Sequence, residues 1–224
     1  MSMLSNLDLI RRVPLFAMLT EMQAESLAGA VAKQRFKRGE LVVEQGQTSN
    51  TLYIILSGRA RVLMTDSKGR EVILAKLQTG DYIGEMSLID HESHSASVAA
   101  ETQTDMLVLG RDVFSRCLVE NSSMAHAVML GLVRRLRNAD QKISSLALTG
   151  VYERVANAVM EAATEGDDGS LVLREKLSRQ DIAKMVGASR EMVSRVMKDF
   201  EEQGFIELHE DGVVRVHERR IAPR

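Results

Sequence analysis

Ser178-Arg179-Gln180-Asp181-Ile182-Ala183-Lys184-Met185-Val186-Gly187-Ala188-Ser189-Arg190-Glu191-Met192-Val193-Ser194-Arg195 reads as two short helices around a tight turn. Ser178 is placed to cap the first helix, which ends at Val186. Ser189 caps the second, which runs to Gln203 and stops at Gly204. Ala183 is small where the helices cross, and Gly187 supplies a turn conformation that other residues resist. Val186 and Val193 fill the space between. A chance helical hairpin shares parts of this pattern, but the small residue, glycine turn and apolar knob at these offsets together describe a helix-turn-helix.

Immediately downstream, Phe205-Ile206-Glu207-Leu208 and Val213-Val214-Arg215-Val216 are strand-like runs joined across Asp211-Gly212, a dipeptide suited to a tight hairpin. A helix-turn-helix followed by a hairpin makes a winged domain. Between Arg174 and Lys198 there are seven basic residues (Arg174, Lys176, Arg179, Lys184, Arg190, Arg195, Lys198) against three acidic ones (Glu175, Asp181, Glu191), a net +4 on a chain of net charge −2. A focused basic face on a mildly acidic protein points to DNA rather than to general nucleic-acid coating. Arg190, Glu191, Ser194 and Arg195 share the amino-terminal face of the second helix, the end that enters the major groove when such a helix docks. Arginine can bond a guanine edge with two hydrogen bonds, and a carboxylate can accept from a cytosine amino group. Ser189, Arg179 and Lys198 complete the expected DNA-contacting set, Lys198 toward phosphate. The plainer reading is a solvated helix with an i,i+4 pair between Glu191 and Arg195.

Working upstream, a helix is expected from Tyr152 to about Ala163, then an acidic turn at Gly166-Asp167-Asp168-Gly169 and a short strand at Leu171-Val172-Leu173. Composition and period change near residue 149, so the DNA-binding domain is expected over 149–224. Before it, Ser122 or Ser123 caps a helix that runs to about Leu148. Ala125, Met129, Leu132, Leu136, Ala139, Ile143 and Leu146 recur along it at steps of 4, 3, 4, 3, 4 and 3, an a/d heptad seam. A core helix packed on its own domain would also carry such a stripe. Arg134, Arg135, Arg137 and Lys142 leave the other faces polar, which favours a two-fold dimer seam through Met129, Leu132, Leu136, Ala139, Ile143 and Leu146 over 121–148.

From about Val31 to Leu109, Gly39, Gly46, Gly58, Gly69, Gly80 and Gly84 separate apolar runs such as Leu52-Tyr53-Ile54-Ile55-Leu56 and Val72-Ile73-Leu74. Strand-length runs with turn formers at such intervals indicate an antiparallel β-roll or jelly roll, with a helix over 19–32 packed on it. The fold class is therefore α+β: a β-roll over 1–120, a long helix, and a winged helix-turn-helix. The 224 residues suffice for two modest domains, and 45% hydrophobic and 27% charged residues fit a globular protein. No apolar run reaches the ~18–20 residues of a membrane span, and the start lacks the pattern of a signal peptide. A cytoplasmic location is expected. One cysteine, Cys117, excludes an intramolecular disulfide or a cluster needing several thiolates. Its apolar helical context suits a core residue better than a redox switch.

The run Ser189-Arg190-Glu191-Met192-Val193-Ser194-Arg195-Val196 resembles the recognition helix of the CRP/FNR family of bacterial regulators. The likeness extends over essentially the whole chain: the glycine-spaced roll, Gly84-Glu85-Met86-Ser87-Leu88, the long helix and the winged domain. It implies a homodimer that binds near-palindromic DNA, contacts RNA polymerase and answers to a small effector. Arg190, Glu191 and Arg195 match the base-reading trio of the catabolite activator branch. Glu191, Ser194 and Arg195 match the fumarate–nitrate branch, so the resemblance implies half-sites with a TGA core.

In the cyclic-AMP receptors of that family a Gly-Glu pair and a later Arg-Ser pair hold ribose and cyclic phosphate. Gly84, Glu85 and Ser95 correspond, with Ser87 in the same cassette, but His94 stands where the arginine would be. A neutral imidazole offers one donor where a guanidinium offers a fixed charge and a fork. The Thr-Ser pair that meets adenine corresponds to Ala139-Asp140. An ionised Asp140 cannot donate, but it can accept from the two N–H groups on the guanine edge. The resemblance thus points to cyclic di-GMP or cyclic GMP ahead of cyclic AMP, or to another ligand, or to a sensor without one. His91 and His94 lie three apart with Glu85 nearby, but loop histidines without a third strong ligand are usually solvated, and no metal is expected. An enzyme under cyclic-nucleotide control is the rival from another class. The residues after the long helix are occupied by the winged fold and carry no Walker loop, kinase signature or nucleophile–base arrangement.

Overall fold

A computed structural model of the chain describes residues 5–166, 170–173, 178–208 and 214–217. The chain divides into two compact units, Met1–Leu136 and Arg137–Arg224.

The first unit opens with α1 (Asn6–Arg12) and α2 (Glu21–Ala30). The expected helix over 19–32 is shorter at both ends for local reasons. Thr20 caps it, accepting from the Gln23 N–H while the Gln23 side chain accepts from the Thr20 N–H. At the other end the β-branched Val31 leaves in extended conformation to begin β1 (Val31–Phe36). There follow β2 (Leu41–Val43), β3 (Thr51–Ser57), β4 (Ala60–Thr65), β5 (Glu71–Leu77), β6 (Tyr82–Ile83), α3 (Glu85–Asp90), β7 (Ser97–Ala100) and β8 (Thr104–Gly110). The strands pair antiparallel in two sheets of order β1-β8-β3-β6 and β2-β7-β4-β5. Alternation along β8 shows how one sequence serves two cores. Met106 joins Phe36, Val42, Ile55, Ala60 and Val98 between the sheets. Leu107 and Leu109 face the other way, with Leu52 and Ile54 of β3, against a layer of helices.

That layer holds α1, α2, α4 (Arg111–Glu120) and the first turns of α5 (Ser122–Leu148), through Ile10, Leu27, Phe114, Met124 and Val128. The cap of α5 is Asn121, whose side-chain oxygen accepts from the Met124 N–H at 2.9 Å; Ser122 and Ser123 are helical. Asn121 is extended and also closes α4, its N–H donating to the Cys117 carbonyl. One non-helical residue thus ends one helix and starts the next. Cys117 is half-buried against this core, and burial pushes its thiol above the usual range.

The second unit contains the last turns of α5, then α6 (Val151–Ala162), β9 (Thr164–Glu165), β10 (Leu171–Leu173), α7 (Arg179–Val186), α8 (Arg190–Glu202), β11 (Ile206–Leu208) and β12 (Val214–Val216). Its small sheet has the order β11-β12-β10-β9, with Ile206 opposite Val216 and Glu207 opposite Arg215. The Asp211-Gly212 turn lies outside the described residues, as do Asp167 to Gly169, Arg174, Glu175 and Lys176. Ser178 and Ser189 cap α7 and α8, accepting from the N–H groups of Asp181 and Met192. Gly187 ends α7 in left-handed conformation, φ 64°, and its N–H donates to the Ala183 carbonyl. Val186 and Val193 meet in a core with Val155, Val159, Ile182 and Phe200. Phe200 is fully buried, edge-on to both Tyr152 and Phe205 at 4.8 Å. Truncating it to alanine would cost about 3–5 kcal/mol.

Candidate effector site and DNA-binding face

The expected effector cassette lies at the β6–α3 turn. Gly84 precedes α3 with φ 95°, and a Cβ there would lie 2.6 Å from the Thr51 carbonyl oxygen. Only glycine lets the chain turn this close to β3. The turn carries Glu85 into the interior, where it is 1% exposed. One carboxylate oxygen, Oε1, accepts from Arg135 Nη1 at 2.5 Å. The other, Oε2, is buried with no hydrogen-bond partner among the described residues. Burial pushes the Glu85 carboxyl above its ordinary range, and the Arg135 guanidinium pulls it back.

Arg135 reaches the cassette from α5. Its Nη2 donates to the Tyr82 carbonyl at 2.5 Å, and its guanidinium lies 5.0 Å from the centre of the Tyr82 ring. The Tyr82 hydroxyl donates to the Val128 carbonyl at 3.3 Å. This approach depends on Gly131, because a Cβ there would sit 1.8 Å from the Tyr82 hydroxyl oxygen. Met124, Val128, Gly131 and Arg135 therefore form a stripe at steps of 4, 3 and 4 that binds α5 to its own roll. The heptad seam begins one residue later, at Ala125, and runs alongside that stripe. The long helix thus packs on its own roll through one stripe and leaves the adjacent heptad stripe largely exposed. Leu132 packs partly against the sensor core. Met129 (55%), Leu136 (63%), Ile143 (64%) and Leu146 (56%) stand open, an apolar row that a lone chain leaves in water. Ala139 is exposed with them.

His94 is buried, whereas a loop histidine would be expected to face solvent. Its ring nitrogens lie 3.0 Å from the Ser87 hydroxyl and 2.9 Å from the Ser49 hydroxyl. Its backbone exchanges hydrogen bonds with Gln47 and Gly46. Desolvation lowers its pKa, so it is neutral at pH 7. The structure thus joins Gly84, Glu85, Ser87 and His94 in one locality, His94 Cε1 lying 3.9 Å from where a Gly84 Cβ would be. Ser95 is exposed beside them, and Asp140 is exposed on α5. His91 is exposed in left-handed conformation at the end of α3. Its Nδ1 meets Arg111 Nη1, and Arg111 also donates to Asn50 and to the Ser87 carbonyl. Arg135, Tyr82 and Gly131 were not among the expected site residues. Arg135 and Glu85 are 50 residues apart, so local spacing could not pair them.

On α8 the apolar residues Val193, Val196, Met197 and Phe200 are buried, which turns Arg190, Glu191, Arg195 and Lys198 outward, with Ser194 half-buried between them. The Glu191 carboxyl is held below its usual range first by its own backbone N–H, then by the Ser189 hydroxyl, and less by Arg190 and Arg195. The helix start, more than Arg195, fixes this acceptor. Arg179 pairs with Glu201 of α8 at 3.4 Å, and Lys198 with Glu202 at 3.6 Å. Both pairs are at least partly exposed, and pairs of this kind release their cations at little cost.

Comparison with known proteins fits both units. Residues 33–121 match the family model for a cyclic nucleotide-binding domain, and residues 153–220 that for a Crp-like helix-turn-helix domain. The chain is 32% identical over 179 residues, 77% of its length, to the cAMP-activated global transcriptional regulator CRP of Escherichia coli, 84% of which is covered. It belongs to the CRP/FNR family of transcription regulators. A CRP-like cAMP-activated regulator of Mycobacterium tuberculosis is 27% identical over 220 residues, covering 97% of this chain and 98% of that protein. The c-di-GMP responsive regulator CLP of Xanthomonas campestris superposes with a TM-score of 0.78 at 23% identity, covering 88% of this chain and all of that one. The chain is thus a CRP-like DNA-binding transcription regulator with a cyclic nucleotide-binding domain. No described helix is long and apolar enough to cross a membrane.

Proposed function

We propose that this CRP/FNR protein works as a homodimer on near-palindromic DNA with TGA-containing half-sites, gated by a guanine-containing cyclic nucleotide. The observation that carries the effector reading is Glu85 Oε2, a buried acceptor with no partner among the described residues. An unpaired buried carboxylate oxygen is costly, and a ribose hydroxyl donating to it would remove that cost. Glu85 would hold the sugar, with Ser95 and the backbone at Gly84 toward the phosphate. His94, neutral and engaged through both ring nitrogens, brings no charge to a cyclic phosphate. The charge-assisted fork of a phosphate-binding arginine is therefore lacking at this position. Asp140, exposed on α5, suits the paired N–H groups of guanine better than the single amino group of adenine.

The exposed row Met129, Leu136, Ala139, Ile143 and Leu146 supports pairing of two long helices, with Leu132 at its margin. Two recognition helices would then read inverted half-sites through Arg190, Glu191, Ser194 and Arg195, with Ser189, Arg179 and Lys198 at the backbone. RNA polymerase is the partner expected of a regulator bound at a promoter, and the cytoplasm the expected location. Calorimetric titration of the purified protein with cyclic AMP, cyclic GMP and cyclic di-GMP tests the effector. Binding of a guanine nucleotide that weakens in Asp140→Ala is expected. Tight cyclic-AMP binding unaffected by Asp140→Ala would overturn the guanine reading, and silence with all three would favour a sensor without a nucleotide.

A further inference from the structure

Where α5 ends, a single side chain holds three elements of the second unit together. Arg154, on the first turn of α6, donates Nη1 to the Thr149 carbonyl at 2.7 Å and Nε to the Val186 carbonyl at 3.0 Å. Thr149 closes α5, its N–H and its hydroxyl both donating to the Ser145 carbonyl. Val186 is the last residue of α7, just before the Gly187 turn into the recognition helix. Each carbonyl sits at a helix carboxy-terminus, where backbone acceptors lack intrahelical partners and the helix dipole is negative. A guanidinium suits both at once, because its donors diverge in a fixed plane and it keeps its charge. Leu146, on the last turn of α5, approaches the same point: a Cβ on Gly187 would lie 3.4 Å from its Cδ2.

We propose that Arg154 is a positioning residue that sets the angle between the end of the long helix and the helix-turn-helix, and with it the half-site spacing the protein accepts. The proposal rests on the dimeric reading given above. In a two-fold dimer the recognition helices must meet grooves about one helical turn apart or a multiple of it, so a change in this angle moves both together. Arg154 touches no base or phosphate in this scheme. Its variants should leave the recognition surface of α8 intact and disturb where that surface is carried.

The test uses the full chain and a duplex selected by the wild-type protein from a randomised pool, together with versions carrying one or two inserted base pairs between half-sites, and a single half-site. Arg154→Gln, which cannot reach both carbonyls with charge, should weaken binding to the selected duplex by roughly tenfold, the scale of one charge-assisted hydrogen bond. It should flatten the penalty for insertion while binding the single half-site as before. Arg154→Lys, able to satisfy one carbonyl at a time, should fall between the two. Variants with wild-type affinity across the whole duplex series would overturn the proposal. So would equal losses on full and half sites accompanied by a lowered melting temperature, which would mark a merely structural role. A wild-type protein that sediments as a monomer and ignores spacing would overturn the dimeric reading, and this proposal with it.

Discussion

Gly131→Ala is the substitution whose effect the structure fixes most tightly. A methyl group at that position would lie 1.8 Å from the Tyr82 hydroxyl oxygen and 3.0 Å from Cζ, so the ring must move. Tyr82 is almost fully buried, and its retreat breaks the hydrogen bond to the Val128 carbonyl and the stacking beneath Arg135. In a helix alanine is favoured over glycine by about 1 kcal/mol. Against this stand about 0.5–1.5 kcal/mol for the hydrogen bond and about 1–3 kcal/mol for forcing bulk into a packed site. The net is a destabilisation of about 0.5–3.5 kcal/mol, read in thermal or urea melts of the sensor unit's transition. For a chain of this size each kcal/mol moves the melting temperature by about 2–4 °C. Removing the hydroxyl in the double variant Gly131→Ala/Tyr82→Phe should restore much of the loss. A single variant as stable as the parent, or more stable by the helix-propensity gain, would show that α5 does not close on β6 as described.

Three further outcomes are expected. Leu136→Glu with Ile143→Glu should give a monomer by sedimentation that loses specific DNA binding, and a stable dimer would place the interface elsewhere. Arg195→Ala should cost about 1–3 kcal/mol on a cognate duplex and relax preference at one guanine per half-site, whereas Lys198→Ala should weaken all duplexes alike and flatten the salt dependence; equal losses from Arg195→Ala on cognate and random DNA would refute its role. His94, held neutral by burial, has a folded pKa below the ordinary imidazole value of about 6.5. Below that pH the unfolded chain takes up a proton that the folded one refuses, so this contribution is complete above about pH 6.5 and is lost as pH falls through the folded pKa. Melting temperatures compared between His94→Gln and the parent across that range should show a shallower acid decline in the variant.

Much of this architecture is legible in the sequence because its signals are local. Ser178, Gly187 and Ser189 mark the helix-turn-helix by capping and turn chemistry within a dozen residues, and the glycine-spaced runs mark the roll. The a/d seam of α5 is equally visible, but the neighbouring stripe through Val128, Gly131 and Arg135 is not. Its meaning depends on Tyr82 and Glu85, which tertiary folding brings to it from about 50 residues away. His94 shows the same limit. Its place in the chain says loop, while its burial follows from the chain near Gly46, Gln47 and Ser49 folding over it. Arg154 sits in an ordinary amphipathic helix, and nothing in its neighbours' sequence reveals the two carbonyls it joins.

The proposed function couples occupancy of the cassette around Glu85 to binding of a specific DNA site. Its most direct test is the affinity of the purified protein for its selected duplex, measured alone and with saturating cyclic AMP, cyclic GMP or cyclic di-GMP at fixed salt. A guanine nucleotide is expected to change that affinity by roughly 5–150-fold, the usual range of allosteric coupling, and Glu85→Gln to abolish the change. An affinity that none of the three nucleotides alters, or that cyclic AMP alone alters, would contradict it.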